Sequence, residues 1–180
     1  MLATYREQGI RQSLIPEMLE QSTCRLRPGV VEFLSAARDH EIPVLVFSGG
    51  IRDVIVKLLE REGCMFDNIT IIANNFKWDE AGVFAGAEEP YITACTKLEV
   101  AKQNKYFGDV IRDHVLLLGD MVSDLAMGAC AQYKEMISVG FCRAPEKDGD
   151  KYGESFDVVI AGGNPGFEVP AKILEDIVNK

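Results

Sequence analysis

Two aliphatic runs that stop abruptly at acidic or small residues constrain this chain more than any other feature. Residues 115–124 read VLLLGDMVSD, and residues 44–50 read VLVFSGG. Runs this short, bounded by turn residues, have the length of strands buried on both faces. The same pattern returns at 69–73 (ITIIA), 137–140 (ISVG) and 157–161 (DVVIA). Helical spacing fills the intervals. Helices are expected over about 5–24, kinked or split at Pro16, and over about 28–40, opened by Pro28. Another should run over about 52–62 and stop at Gly63, and another over about 94–105. One follows Asp120 through Leu125 and Met127, and the last carries Val169, Ile173, Leu174, Ile177 and Val178 on one side. Phe76-Lys77-Trp78 and Val83-Phe84-Ala85 flank a turn-forming DEAG and read as a β-hairpin. Strands alternating with helices imply βαβ crossovers. The expected fold is α/β: a mostly parallel sheet flanked by helices, with the hairpin as an addition.

Composition excludes several classes. A net charge of −9 argues against a general nucleic-acid binder, which presents a basic surface. No apolar run approaches the roughly 20 residues that span a bilayer, so no membrane partner is expected, and MLATYREQGIRQ lacks the apolar core of a secretory signal. The five cysteines are scattered without CxxC spacing, and there are only two histidines, which disfavours a zinc site. Reduced thiols in a cytoplasmic protein are the expectation.

In an open parallel sheet, ligands bind beyond the carboxyl ends of the strands. Ser48, Gly49 and Gly50 stand at one such end, Asp120 and Asp124 at another. A serine hydroxyl and glycine amides beside a helix start can bind a phosphate. Lys97 can neutralise phosphate charge, and Asp120 is a hard oxygen ligand of the kind Mg²⁺ takes. Asp124, four residues on, suits a ligand, a supporting partner or a helix cap. Each residue alone also fits a plainer role: a strand-to-helix turn, a solvated lysine, a capped loop. Their order and placement together point to phosphoryl chemistry.

The stretches RPGVVEFL, IPVLVFSGGIRDVI, NNFKWDEAGVFAG, TKLEVAKQNKYF and LLLGDMVSDLAMG carry a resemblance. From about residue 27 to 179 the chain resembles the pyrimidine/cytosolic-III 5′-nucleotidases of the haloacid dehalogenase superfamily. The resemblance implies a Rossmann-like core over 26–180 and a remnant of a helical cap over 1–25. It implies Mg²⁺-dependent hydrolysis of a nucleoside monophosphate to nucleoside and phosphate. It assigns Ser48 to the phosphate, Lys97 to the phosphoryl group and the nucleophile, Asp120 to Mg²⁺, and Asp124 to a supporting catalytic role. Relatives also carry an N-terminal DxDxT strand whose first aspartate attacks phosphorus. Residues 1–43 hold a single aspartate, Asp39, in no such motif. The expectation is a truncated form, inactive alone, with the N-terminal segment as a partner. Two other readings follow from the same residues: a phosphatase for another phosphomonoester such as phosphoserine, which the SGG motif favours, and a non-catalytic phosphatase-like binding module.

Overall fold

The computed structural model describes residues 2–106 and 112–179, with side chains from Tyr5 onward. The expected TKLEVAKQNKYF stretch therefore ends, at Phe107, outside the described residues. The chain divides into two compact units. One comprises Met1–Leu26 and Leu34–Ile92, the other Arg27–Phe33 and Thr93–Lys180.

The first unit begins with α1 (Leu2–Glu7), a 3-10 turn (Gln12–Leu14) and α2 (Ile15–Gln21). The expected break in this helical stretch falls earlier than Pro16. Gly9 takes a left-handed φ of +58° and ends the first piece. Pro16 sits in the first turn of α2, where its missing N–H costs nothing. Helix α3 (Val30–Asp39) leads to β1 (Val44–Ile51), then α4 (Arg52–Arg61) and β2 (Ile69–Asn74). β1 and β2 pair in parallel from Val44↔Ile69 to Ser48↔Ala73, then slip to Ile51↔Asn74. Phe47 and Leu59 are buried in this layer.

The hairpin is β3 (Phe76–Trp78) and β4 (Phe84–Ala87), antiparallel as expected. The Asp79 carboxylate ties its turn by accepting the Ala81 and Val83 amides at 2.9 and 2.8 Å. The N-terminal residues lie along β4. Arg11 bridges Val83 in antiparallel fashion, and the Tyr5 ring meets Phe76 and Phe84 at 5.5 and 5.8 Å.

The second unit contains α5 (Lys97–Gln103), β5 (His114–Gly119), a 3-10 stretch (Val122–Cys130), β6 (Glu135–Cys142), α6 (Pro145–Ser155), β7 (Val158–Ala161) and α7 (Glu168–Val178). Its strands form one parallel sheet in the order β5-β6-β7. The expected helix after Asp120 is 3-10 rather than α. Helix α6 was not expected from periodicity. Phe33, Phe167 and Phe141 pack in series, with centroids 5.3 and 5.2 Å apart. All five thiols are free, with Cys64 and Cys142 buried. Among the described residues no helix is long and apolar enough to cross a membrane.

Asp157 fastens β7 to β6. Its Oδ2 accepts the Ser138 hydroxyl at 2.6 Å and the Ser138 amide at 2.8 Å. These hydrogen bonds, hydroxyl first, hold its carboxyl below the usual range, against an opposing burial effect. A depressed folded-state pKa stabilises above the unfolded value and is lost as pH falls through the folded one. Asp157→Asn is therefore expected to cost about 1 kcal/mol at neutral pH. The deficit should shrink progressively below about pH 4. Urea titrations of both proteins at pH 7 and pH 3 check this, and a deficit independent of pH would contradict it.

Candidate active site

The acidic loop is built from the end of β5. The parallel register sets Gly119 beside Gly140, so Asp120 emerges at the carboxyl edge of the second unit's sheet. The Asp124 carboxylate folds back under this loop. Its Oδ2 accepts the amides of Asp120 and Met121 at 2.9 and 3.0 Å. Its Oδ1 accepts the Lys97 ammonium at 2.6 Å. Both side chains of this pair are buried, Lys97 9% exposed and Asp124 6%. Thr93 and Thr96 order the entry to α5 and so the position of Lys97: the Thr96 hydroxyl accepts the Thr93 amide at 2.9 Å, and the Lys97 amide donates to the Thr93 carbonyl at 3.0 Å.

Asp120 is held by its backbone at both ends. Its amide goes to Asp124, and its carbonyl accepts the Tyr152 hydroxyl. Burial first, then the nearby Cys142 and Asp120, push the Tyr152 hydroxyl's pKa up, so it remains a donor through the neutral range. The Asp120 carboxylate itself is half-exposed, and its Oδ2 accepts Arg143 at 2.9 Å.

The structure thus brings Lys97, Asp120 and Asp124 together. Ser48 and Gly49 belong to the first unit, at the carboxyl end of β1. The Ser-Gly-Gly segment is not a loop, as the sequence suggested, but the last part of the strand, where the register slips. The Gly50 amide donates to the Ser48 hydroxyl at 3.0 Å. Asn74 locks the slip: its Nδ2 donates to the carbonyls of Gly49 and Ile92 at 2.8 and 2.9 Å, and its Oδ1 accepts the Ile92 amide at 2.8 Å. Asn74, Tyr152 and Arg143 escaped sequence reasoning, because each acts across a distance that no local motif records.

Mg²⁺ takes oxygen ligands, keeps several waters and shares substrate oxygens, and needs only one or two carboxylates. Asp120 supplies one such oxygen at the strand edge. Both Asp124 oxygens are already engaged, Oδ1 by Lys97 and Oδ2 by the two loop amides. Among the described residues no group of three or more His, Cys, Asp or Glu side chains could hold a metal. The donor set fits an open, water-rich Mg²⁺ site anchored on one carboxylate, and does not fit a closed cage.

Known structures and sequences agree with this fold. A phosphoserine phosphatase in apo form superposes with a TM-score of 0.63 at 16% identity, over 97% of this chain and 76% of its own, a likeness of fold. A cytosolic 5′-nucleotidase IIIB bound to cytidine superposes with a TM-score of 0.83 at 26% identity, over 95% of this chain and 58% of its own. The 7-methylguanosine phosphate-specific 5′-nucleotidase A of Xenopus laevis is 28% identical over 160 residues, covering 87% of this chain and 55% of the relative. The chain thus spans about half the length of the curated relatives it matches. The family model for pyrimidine 5′-nucleotidase (UMPH-1) matches residues 3–178, nearly the whole sequence, and the chain belongs to that family.

Proposed function

We propose that this chain forms the core of a Mg²⁺-dependent 5′-nucleotidase that hydrolyses a nucleoside monophosphate to nucleoside and phosphate in the cytoplasm. The observation that carries this reading is the buried Lys97–Asp124 pair holding Asp120 at a strand edge, in a chain of the pyrimidine 5′-nucleotidase family. Asp120 would hold the metal, which when bound neutralises phosphoryl charge. Asp124 positions Asp120 by accepting its amide and fixes Lys97, whose positive charge would neutralise the phosphoryl group. Ser48, at the carboxyl end of β1, is the first unit's candidate phosphate donor, and Asn74 steadies the Gly49 backbone that follows.

The attacking carboxylate is supplied from outside residues 1–180. Asp39, the sole aspartate before Ser48, lies on α3, exposed and bonded to Arg38 at 2.7 and 2.9 Å. Among the described strands, β1 pairs with β2 alone and β5 with β6 alone. Each therefore keeps an edge able to accept another strand.

The test is phosphate release from CMP, UMP, 7-methylguanosine monophosphate and phosphoserine. Residues 1–180 alone should show no appreciable turnover, as a binding module would. Supplying an aspartate-bearing N-terminal segment, fused or as a separate fragment, should give Mg²⁺-dependent hydrolysis of the nucleotides that Asp120→Asn abolishes. Robust turnover by the unextended chain would show that the nucleophile has been misplaced. Preference for phosphoserine would move the substrate class.

A further inference from the structure

We propose that Arg27 and Arg143 form a phosphoryl-binding subsite beside Asp120, which takes a phosphate group either free or carried on a nucleoside. This deepens the reading above and rests on it only for the identity of the anion.

The placement follows from β6. The guanidinium of Arg27 lies over the Phe141 ring, 4.6 Å from its centroid. Arg143 follows Phe141 by two residues, just past the strand end, and reaches Asp120. The β5–β6 register puts Asp120 alongside that end. Arg27 and Arg143 therefore lie at the same strand end, Arg143 paired with Asp120 and both of their charges felt at Arg27. This local excess of positive charge stands in a chain whose net charge is −9. Two guanidiniums repel, and one carboxylate does not balance them. Burial, and after it the charge of Arg143, lower the Arg27 pKa, while Asp120 opposes them. At Arg27 the repulsion from Arg143 outweighs the attraction of Asp120, and a bound anion would relieve it.

The hydrogen-bond inventory points the same way. Arg27 donates through Nη1 to the Pro165 carbonyl at 3.2 Å. Its Nη2 is buried, and no acceptor meets it among the described residues. Buried donors are nearly always satisfied, and one that is not calls for an unseen partner. Stacking and the Pro165 bond fix this guanidinium before any ligand arrives. Arg143 supplies the opposite quality. Its side chain is 66% exposed, and its ion pair with Asp120 is of the weak surface kind. It can leave Asp120 for an incoming oxyanion, and has more reason to do so once a cation occupies that carboxylate. A planar guanidinium presents paired N–H groups that match phosphate oxygens, which a lysine does not.

The test is a titration of residues 1–180 with inorganic phosphate, CMP and cytidine by calorimetry, in low salt with EDTA. Phosphate should bind saturably and cytidine should not. Arg143→Gln and Arg27→Lys should each weaken phosphate binding by about fivefold or more, the loss of a charge-assisted or forked hydrogen bond. Arg38→Gln removes the same charge from a position on α3 paired with Asp39, and should change affinity by less than about twofold, as expected of an exposed pair. Binding of CMP as well as phosphate would show a nucleotide-borne phosphoryl group in the subsite. Binding of phosphate alone would show a site for the free anion. Thermal melts establish that each variant is folded. Arg143→Gln, at an exposed side chain, decides the matter if Arg27→Lys fails to fold. Absence of phosphate binding, equal weakening by all three substitutions, or unchanged affinity in Arg143→Gln would overturn the subsite. Because the titration needs neither metal nor turnover, its failure leaves the hydrolysis reading standing, and failure of the hydrolysis assay leaves the subsite standing.

Discussion

Lys97→Met is expected to destabilise the protein by about 3–5 kcal/mol, the cost of stranding one charge of a buried ion pair. The substitution keeps most of the aliphatic stem and removes the ammonium. The Asp124 carboxylate would then remain buried with two backbone amides as its partners, and without the cation 2.6 Å from Oδ1. Asp124→Asn in the Lys97→Met background should recover part of the loss, because a neutral amide can still accept the two loop N–H groups. Urea titration of the native chain, both single variants and the double variant measures the coupling. A cost below about 1 kcal/mol for Lys97→Met would mean that the pair behaves like a solvated surface bridge. The burial described above would then be wrong.

Gly119→Ala should be nearly as damaging, although it adds one methyl group. A Cβ at this position would stand 2.6 Å from the Asp124 Cβ and 2.8 Å from its Oδ2. No real contact is that short, and neither neighbour is a free-swinging side-chain end, because Asp124 is held on both carboxylate oxygens. Either the strand end or the acidic loop must shift. Overpacking of this kind costs about 1–3 kcal/mol, and each hydrogen bond given up adds about 1. About 3 kcal/mol in total is expected, read from the urea midpoint. Gly153→Ala is the matched control. It lies within α6, where an added Cβ meets nothing within 4 Å, and should raise stability by about 0.5–1 kcal/mol. Equal and small effects at the two positions would remove the argument that the loop is clamped.

The strands were legible because short continuous aliphatic runs bounded by turn residues have few other uses. Val44, Leu45 and Val46 are half-buried, as are Leu116 and Leu118 around the buried Leu117, and each run lies in a parallel ladder. The hairpin was legible through Asp79 and Gly82, whose turn chemistry is local. Helix α6 was not. PEKDGDKYGES has two glycines and no apolar period, and no residue of it is fully buried. What holds it is Tyr152, which stacks on Phe156 at 5.5 Å and reaches Asp120, a tertiary relation with no local signature. The strand character of Ser48-Gly49-Gly50 was missed for the same reason: glycines read as a loop until Asn74 is seen to hold them. Within the candidate site, Lys97, Asp120 and Asp124 could be named from order and spacing. The choice among the roles open to Asp124 could not, because it depends on which atoms lie 2.6–3.0 Å from its two oxygens.

Asp120 is gripped by its peptide groups, while its side chain holds only an exposed pair with Arg143. Chemistry and architecture are therefore decoupled at this residue. A glutamate, an asparagine or a serine could stand there while Asp124 and Tyr152 keep the loop in shape. Such a position can lose or change its reactivity without cost to the fold. In the enzyme proposed above, a single exchange here would turn cleavage of a phosphate ester into mere holding of one, with nothing in the stability to record the change.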